Sequence, residues 1–318
     1  MIAQNEDGGS HVPVMFREVI EALKPRDGGR YVDGTTGAGG HAAGILEAAG
    51  PNAKLLGLDA DPDALAIAKE KLARFGDRVE LVNVNFRHLA EVAREKGFVP
   101  ADGVLLDLGI SSMQLDRSAR GFSFRTDSPL DMRFDPRQSV TAADIVNGAS
   151  EAELRKILYE FGEERAAARI ARAIVRRRST ERIETTGQLV DIVSKAVGPR
   201  REGINPATKT FQALRIAVNQ ELESLREALP QALEILAKGG RLAVIAFHSL
   251  EDRIVKEFMR HEASECICPP GLPVCVCGKK PSLRLVNKKP QTPAFEEIQR
   301  NPRARSAKLR VAEKIIGS

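Results

Sequence analysis

The 318-residue chain predicts an α/β fold in which a parallel sheet carries helices on both faces and is interrupted by an all-helical insertion. Three observations point there. Short apolar runs alternate with helical segments from Arg30 to Leu108. Those runs are almost continuously apolar, as strands buried on both faces are. From Met113 to about Gln212 the strand signal disappears while helix starts recur.

The first strand is Arg30–Asp33, and it runs into Asp33-Gly34-Thr35-Thr36-Gly37-Ala38-Gly39-Gly40-His41, four glycines in nine residues. Without a Cβ, such a loop turns sharply and lets a ligand touch backbone. Its N–H groups point toward whatever sits at the start of the next helix. That helix, His41–Ala49, stops at Gly50-Pro51. Lys54–Asp59 is a second strand ending in an acid. Asp61-Pro62 then opens a helix reaching about Arg74, with Asp as N-cap and Pro at the first helical position. Val79–Val84 is the third strand, Phe86–Lys96 the third helix, and Asp102–Leu108 the fourth strand, again with an acid near its end.

The insertion opens with a polar, aromatic-spotted loop, Arg120-Gly121-Phe122-Ser123-Phe124-Arg125 through Leu130-Asp131-Met132-Arg133. Ser150-x-x-Glu153 and Thr185-x-x-Gln188 are capping-box patterns. Arg165–Arg178 is a helix with a basic end. A long helix is expected from Phe211 to about Ala237, bent at Pro230 and ended by Gly239-Gly240. Arg241–Phe247 is a fifth strand. His248-Ser249-Leu250-Glu251-Asp252 opens a helix to about Arg260, with Ser249 as N-cap and Asp252 as its partner. Leu283–Val286 and Lys308–Val311 are the last strands. The domains are therefore a tail, 1–10; a discontinuous α/β domain, 11–112 and 213–318; and the inserted helical domain, 113–212.

Composition narrows the function classes. The chain is 42% hydrophobic and 29% charged, ordinary for a protein with a sizeable core. It has no apolar run long enough for a transmembrane helix. Met1–Ser10 reads as a disordered polar tail without signal-peptide features, which places the protein in the cytoplasm. Net charge is +5, but residues 279–318 hold 11 Lys/Arg against 3 Asp/Glu. A basic segment of this kind suits a polyanion, nucleic acid first; the bland alternative is a solvated surface. All four cysteines, Cys266, Cys268, Cys275 and Cys277, lie in one stretch. They are a zinc candidate that lacks the usual spacing within each pair, or reduced thiols in a surface loop.

Gly37-x-Gly39-x-x-Ala42, with Asp59 farther on, fits a dinucleotide fingerprint. The pattern suits either NAD or S-adenosylmethionine, since both carry an adenosine ribose whose hydroxyls Asp59 would accept. Asp33 tilts the choice toward S-adenosylmethionine, because a carboxylate crowds a pyrophosphate but suits an ammonium and a sulfonium. Asp107 and His248, each at a strand end, are the candidates for catalysis. Arg176-Arg177-Arg178, Arg200-Arg201 and the Arg303/Arg305 segment suit phosphates.

Taken together, these motifs carry a resemblance. They are His11-x-Pro13-Val14, Asp33-Gly-Thr-x-Gly-x-Gly-Gly-His41, Asp107-Leu-Gly-x-Ser-Ser112, Arg120-Gly-Phe-Ser-Phe124 and Leu130-Asp-Met-Arg133. Farther on come Phe211-Gln-Ala-Leu-Arg-Ile216, Phe247-His-Ser-Leu-Glu-Asp-Arg253 and Asn301-Pro-Arg-Ala-Arg-Ser-Ala-Lys-Leu-Arg310. In order, from His11 to Arg310, the sequence resembles the RsmH/MraW family of bacterial ribosomal RNA small subunit methyltransferases. The resemblance implies a class I, Rossmann-like, S-adenosylmethionine-dependent methyltransferase with an inserted helical domain. It implies N4-methylation of a cytidine in the decoding region of 16S rRNA, on the small ribosomal subunit, with no membrane and no protein partner readable. Carried over by motif, the cofactor contacts are Gly39, Gly40, His41, Asp59, Phe86, Asp107 and Gln114, with Phe86 stacking on adenine. Phe122, Phe124 and Arg125 are expected to hold the target base.

Overall fold

The computed structural model describes residues 13–110, 120–198, 205–269 and 274–316. The chain divides into two units, one of residues 1–109 and 224–318, the other of residues 110–223.

The first unit is organised by seven strands: β1 (Arg30–Asp33), β2 (Lys54–Asp59), β3 (Val79–Asn83), β4 (Ala101–Asp107), β5 (Leu236–Ala246), β6 (Leu283–Leu285) and β7 (Lys308–Lys314). They form one sheet in the order β3-β2-β1-β4-β5-β7-β6. The first five strands run parallel, and β7 is antiparallel to both β5 and β6. Around them lie α1 (Phe16–Leu23), α2 (Gly40–Ala49), α3 (Pro62–Leu72) and α4 (Leu89–Glu95). Alternate side chains of β4 go to opposite faces: Val104 and Leu106 join one core cluster, Leu105 the other. Both faces are therefore buried, which is why the strands read as unbroken apolar runs.

The second unit is helical: α5 (Ala142–Gly148), α6 (Glu151–Gly162), α7 (Ala167–Arg178), α8 (Thr186–Val197) and α9 (Thr208–Asn219). Leu154, Leu158, Ile170, Ile174, Leu189 and Leu214 form its own core. Among its described residues the only strand pairing is an isolated bridge between Pro129 and Thr185. α10 (Glu221–Ile235) begins in this unit and continues into the first, which ends with α11 (Ser249–Ala263), α12 (Phe295–Arg300) and the last two strands.

Local signals place most helix starts as expected. Asp61 accepts the Asp63 N–H at 3.0 Å, with Pro62 in the first helical position of α3. Ser150 with Glu153 and Thr185 with Gln188 form reciprocal capping boxes. Four expectations are corrected. The single helix from Phe211 to Ala237 is two, broken at Gln220, whose φ of 50° is left-handed. Buried Asn219 is held there by the Phe134 N–H at 2.7 Å and by the Met132 carbonyl at 2.7 Å, while Pro230 lies inside α10 without ending it. Gly239-Gly240 falls within β5, where pairing with β4 shifts register between Ala101 and Gly103 and Gly239 takes a φ of 82°. The segment Phe86–Lys96 opens with a 3₁₀ turn, Phe86–His88, before α4. The N-cap of α11 is His248 rather than Ser249, and its partner is Glu251. Asp252 instead accepts from Arg310 Nε at 2.7 Å. Among the described residues no helix is long and apolar enough to cross a membrane.

Candidate cofactor site

Because β1 to β4 run parallel, their carboxyl ends share one edge, and those ends are Asp33, Asp59, Asn83 and Asp107. The strand after β1 in sequence lies on one side of it and β4 lies on the other. This is the topological switch point at which α/β sheets bind ligands.

The glycine loop crosses that point and is pinned on both sides. The Gly34 N–H donates to the Leu105 carbonyl and the Thr36 N–H to the Leu58 carbonyl, each at 2.9 Å. The Thr35 hydroxyl accepts the Asp107 N–H at 2.6 Å. The Gly37 N–H donates to Asp59 Oδ2 at 2.7 Å, and Asp59 Oδ1 accepts the Asp61 N–H at 2.8 Å. Gly37 and Gly39 have φ of 53° and 77°, conformations that side-chain-bearing residues avoid. Gly39 is the N-cap of α2. A Cβ on Gly40 would stand 2.3 Å from Pro13 Cγ. A Cβ on Gly34 would be 3.2 Å from Phe86 Cβ, so Phe86 lies against the base of the loop.

The electrostatics are unusual for carboxylates. Asp33 is buried; its Oδ1 accepts the Thr35 N–H at 3.1 Å and its Oδ2 has no partner. Burial pushes its pKa up to about 7, against the pull of His41 and of the Thr35 N–H. Burial likewise pushes Asp59 up to about 6, against the N–H groups of Asp61 and Gly37. Asp107 Oδ1 is buried and unpartnered. His41, 5% exposed, stacks on Phe16 at 6.1 Å and makes no hydrogen bond from either ring nitrogen. Its Nε2 is 3.5 Å from Asp107 Oδ2, beyond a normal hydrogen bond. Each buried polar atom without a partner costs about 1–3 kcal/mol. An edge with such atoms on Asp33, Asp107 and His41 suits a guest that brings positive charge and donors, and it disfavours a pyrophosphate.

The structure thus brings Gly39, Gly40, His41, Asp59, Phe86 and Asp107 to one strand edge and its loop. Gln114 and Arg200-Arg201 lie outside the described residues. His248 follows the end of β5, but its Nδ1 accepts the Glu251 N–H at 3.4 Å, a capping role. In the helical unit Phe122 is corrected from a base contact to a core residue, 5% exposed and stacked on Phe134 at 5.5 Å. Phe124 meets Phe211 edge-on at 5.2 Å, and Arg125 is exposed. Arg303 and Arg305 sit on the turn Pro302–Ser306, Arg305 exposed.

Part of the basic segment is also used internally. Arg284 pairs with Glu313, Lys308 and Arg310 pair with Asp252, and Lys314 Nζ donates to the carbonyls of Glu234 and Leu236. Sequence reasoning missed Thr35 as the tie between loop and β4. It also missed Asn83, whose Nδ2 donates to the carbonyls of Asp59 at 2.9 Å and Ala60 at 3.1 Å. A polar residue closing an apolar strand was the available signal for Asn83, as it was for Asp59.

Similarity to known proteins follows the same residues. The family model of the MraW methylase family matches residues 9–315. A protein of Heliobacterium modesticaldum named ribosomal RNA small subunit methyltransferase H is 56% identical over 308 residues, 96% of this chain and 98% of its own. One of the same name from Thermomicrobium roseum is 55% identical over 306 residues, 96% of this chain and 94% of its own. Among solved structures, a putative rRNA methylase from Clostridium thermocellum covers 97% of this chain and 99% of its own at 14% identity and a TM-score of 0.45. That likeness is looser, so assignment rests on the sequence matches. A methylase family model spanning nearly the whole chain, over a doubly wound sheet whose switch point bears the glycine loop, establishes that the chain belongs to the MraW methylase family and is a methyltransferase.

Proposed function

We propose that this methyltransferase moves a methyl group from S-adenosylmethionine to N4 of a cytidine in the decoding region of 16S rRNA, on the small ribosomal subunit. The names of its relatives support the ribosomal RNA substrate. The observation that carries the chemistry is the pair of buried, unpartnered carboxylate oxygens of Asp33 and Asp107 flanking the glycine loop. When bound, the cofactor supplies a methyl group already activated by its sulfonium.

The chain's own residues bind and align. A carboxylate has about four acceptor sites. Asp59 therefore keeps capacity for two ribose hydroxyls beside its two backbone N–H groups. The Gly37–Gly40 backbone and His41 would hold the cofactor, Phe86 would take its adenine, and the charge of Asp33 would complement its cationic end. The cytosine amine is a weak nucleophile because its lone pair is delocalised into the ring. Asp107 accepts its N–H, orients the amine, and takes the proton released as the new N–C bond forms. The amine lies on the pairing edge, so the base must be unpaired or extruded to react. Phe124 and Arg125 of the helical unit contact the RNA, and Arg303 and Arg305 contact its phosphates.

The test is methyl transfer from labelled S-adenosylmethionine to small subunits lacking the modification, followed by nucleoside mass spectrometry. One N4-methylcytidine from the decoding region is expected, with a rate reduced about 100-fold or more in Asp107→Ala. Label in any other nucleoside overturns the assignment.

A further inference from the structure

The loop between α11 and β6 exposes what proteins bury and gathers what they scatter. Ile267, Val274 and Val276 are 53%, 70% and 78% exposed. The thiols beside them converge instead: the Sγ atoms of Cys266, Cys268, Cys275 and Cys277 all lie within 4.8 Å of one another. Hydrophobic burial cannot be the cause, since it would turn the aliphatic side chains inward first. We propose that these four cysteines form a tetrahedral zinc site that closes this loop.

The distances suit one metal ion. Cys268 to Cys275 is 4.0 Å, Cys275 to Cys277 is 3.5 Å and Cys277 to Cys266 is 3.9 Å. Four sulfurs at about 2.3 Å from a central zinc stand about 3.8 Å apart along the edges of the tetrahedron. A disulfide needs about 2.05 Å, and all four thiols are free. Two N–H groups point at sulfur, Ile267 to Cys277 and Cys268 to Cys266, each at 3.4 Å. Donors of this kind stabilise thiolates and fix ligand orientation.

The close spacing within each pair is no obstacle. Ligands two residues apart face the same way where the chain is extended, so the residue between them points outward. That fits what is seen here, with Ile267 and Val276 exposed and the sulfurs of their flanking cysteines, themselves exposed or half-buried, gathered together. The base of the loop is tied by the Ser282 N–H to the Glu262 carbonyl at 2.8 Å. Beyond that tie the stretch from Ser264 to Pro281 has no described helix or strand. A long excursion whose described residues hold no helix or strand needs some other closure, and the metal supplies it.

The experiment is metal analysis of the full-length protein, purified under reducing, oxygen-free conditions. One zinc per chain is expected. After its removal, cobalt(II) should bind one per chain with the strong visible absorption of a tetrahedral tetrathiolate. Cys268→Ser should weaken zinc binding by more than the roughly 10–100-fold that loss of an outer-shell partner costs. The proposal fails if no zinc is present and the reduced protein takes up no cobalt. It fails equally if iron is the resident metal, or if a variant with all four cysteines changed to serine binds zinc undiminished. The wild-type measurements stand whether or not that variant folds, and none depends on methyl transfer.

Discussion

Asp33 closes β1 and stands directly before the glycine loop. Its pKa is raised to about 7 because folding removes water from the carboxylate and leaves Oδ2 unpartnered. Between the usual carboxylate range and that pH the folded chain holds a proton that the unfolded chain gives up. Asp33 therefore makes the empty protein less stable as pH rises from the usual carboxylate range toward 7. A cationic guest reverses the preference, since it favours the ionised form. Affinity for S-adenosylmethionine is thus expected to rise by up to about tenfold per pH unit as pH climbs toward 7, then level off. Binding should also release protons over that interval. Calorimetry from pH 5.5 to 8 measures both, and a flat affinity profile would remove Asp33 from the cofactor's environment. None of this was legible in the sequence. It showed an acid before the glycines, but how deep that acid lies depends on the strands packed beside it.

At the level of elements, the start of α2 is set by what stands behind it. Pro13 fills the space a side chain at position 40 would need, with a Cβ only 2.3 Å from its Cγ. Gly40→Ala should cost about 1–3 kcal/mol through overpacking, visible as a lower melting temperature. An unchanged melt would mean that Pro13 yields freely. The start of α11 offers a sharper separation of roles. His248→Ala should lose about 1 kcal/mol with the cap, whereas Asn, among the best N-cap residues, should restore both stability and methylation. If His248→Asn is stable yet inactive, the ring has chemistry of its own.

These elements also mark the limit of reading structure from sequence. Asp61-Pro62 and the boxes at Ser150 and Thr185 were legible because both partners lie within one turn of chain. The break at Gln220 was not, because it depends on Asn219 bonding to Met132 and Phe134, far away in sequence. The placement of Gly239-Gly240 inside β5 was hidden for the same reason, being set by the register with β4. His248 is not legible as a cap because histidine is an uncommon one, and its partner Glu251 is recognisable only once both are in place.

Over the whole molecule, charge counted along the chain overstates charge offered to a partner. Lys308, Arg310 and Lys314 serve the sheet and its flanking helix, whereas Arg305 is exposed. Arg305→Ala should therefore lower the salt dependence of rRNA binding by about one unit of slope and leave the melting temperature unchanged. Arg310→Met should do the opposite, costing about 1–3 kcal/mol of stability as Asp252 loses its buried partner. Binding measured across a salt series, beside thermal melts, separates the two; equal effects from both would refute this division. The strand order has a consequence for biosynthesis. β7 is made after β6 yet lies between β6 and β5. While a ribosome is still adding the residues between Ala246 and Lys308, the outer edge of β5 has no strand to pair with. A bare apolar edge is a template for association with other chains. Nascent protein stalled or cut anywhere in that interval would carry an adhesive margin, and only the arrival of Lys308–Lys314 seals it.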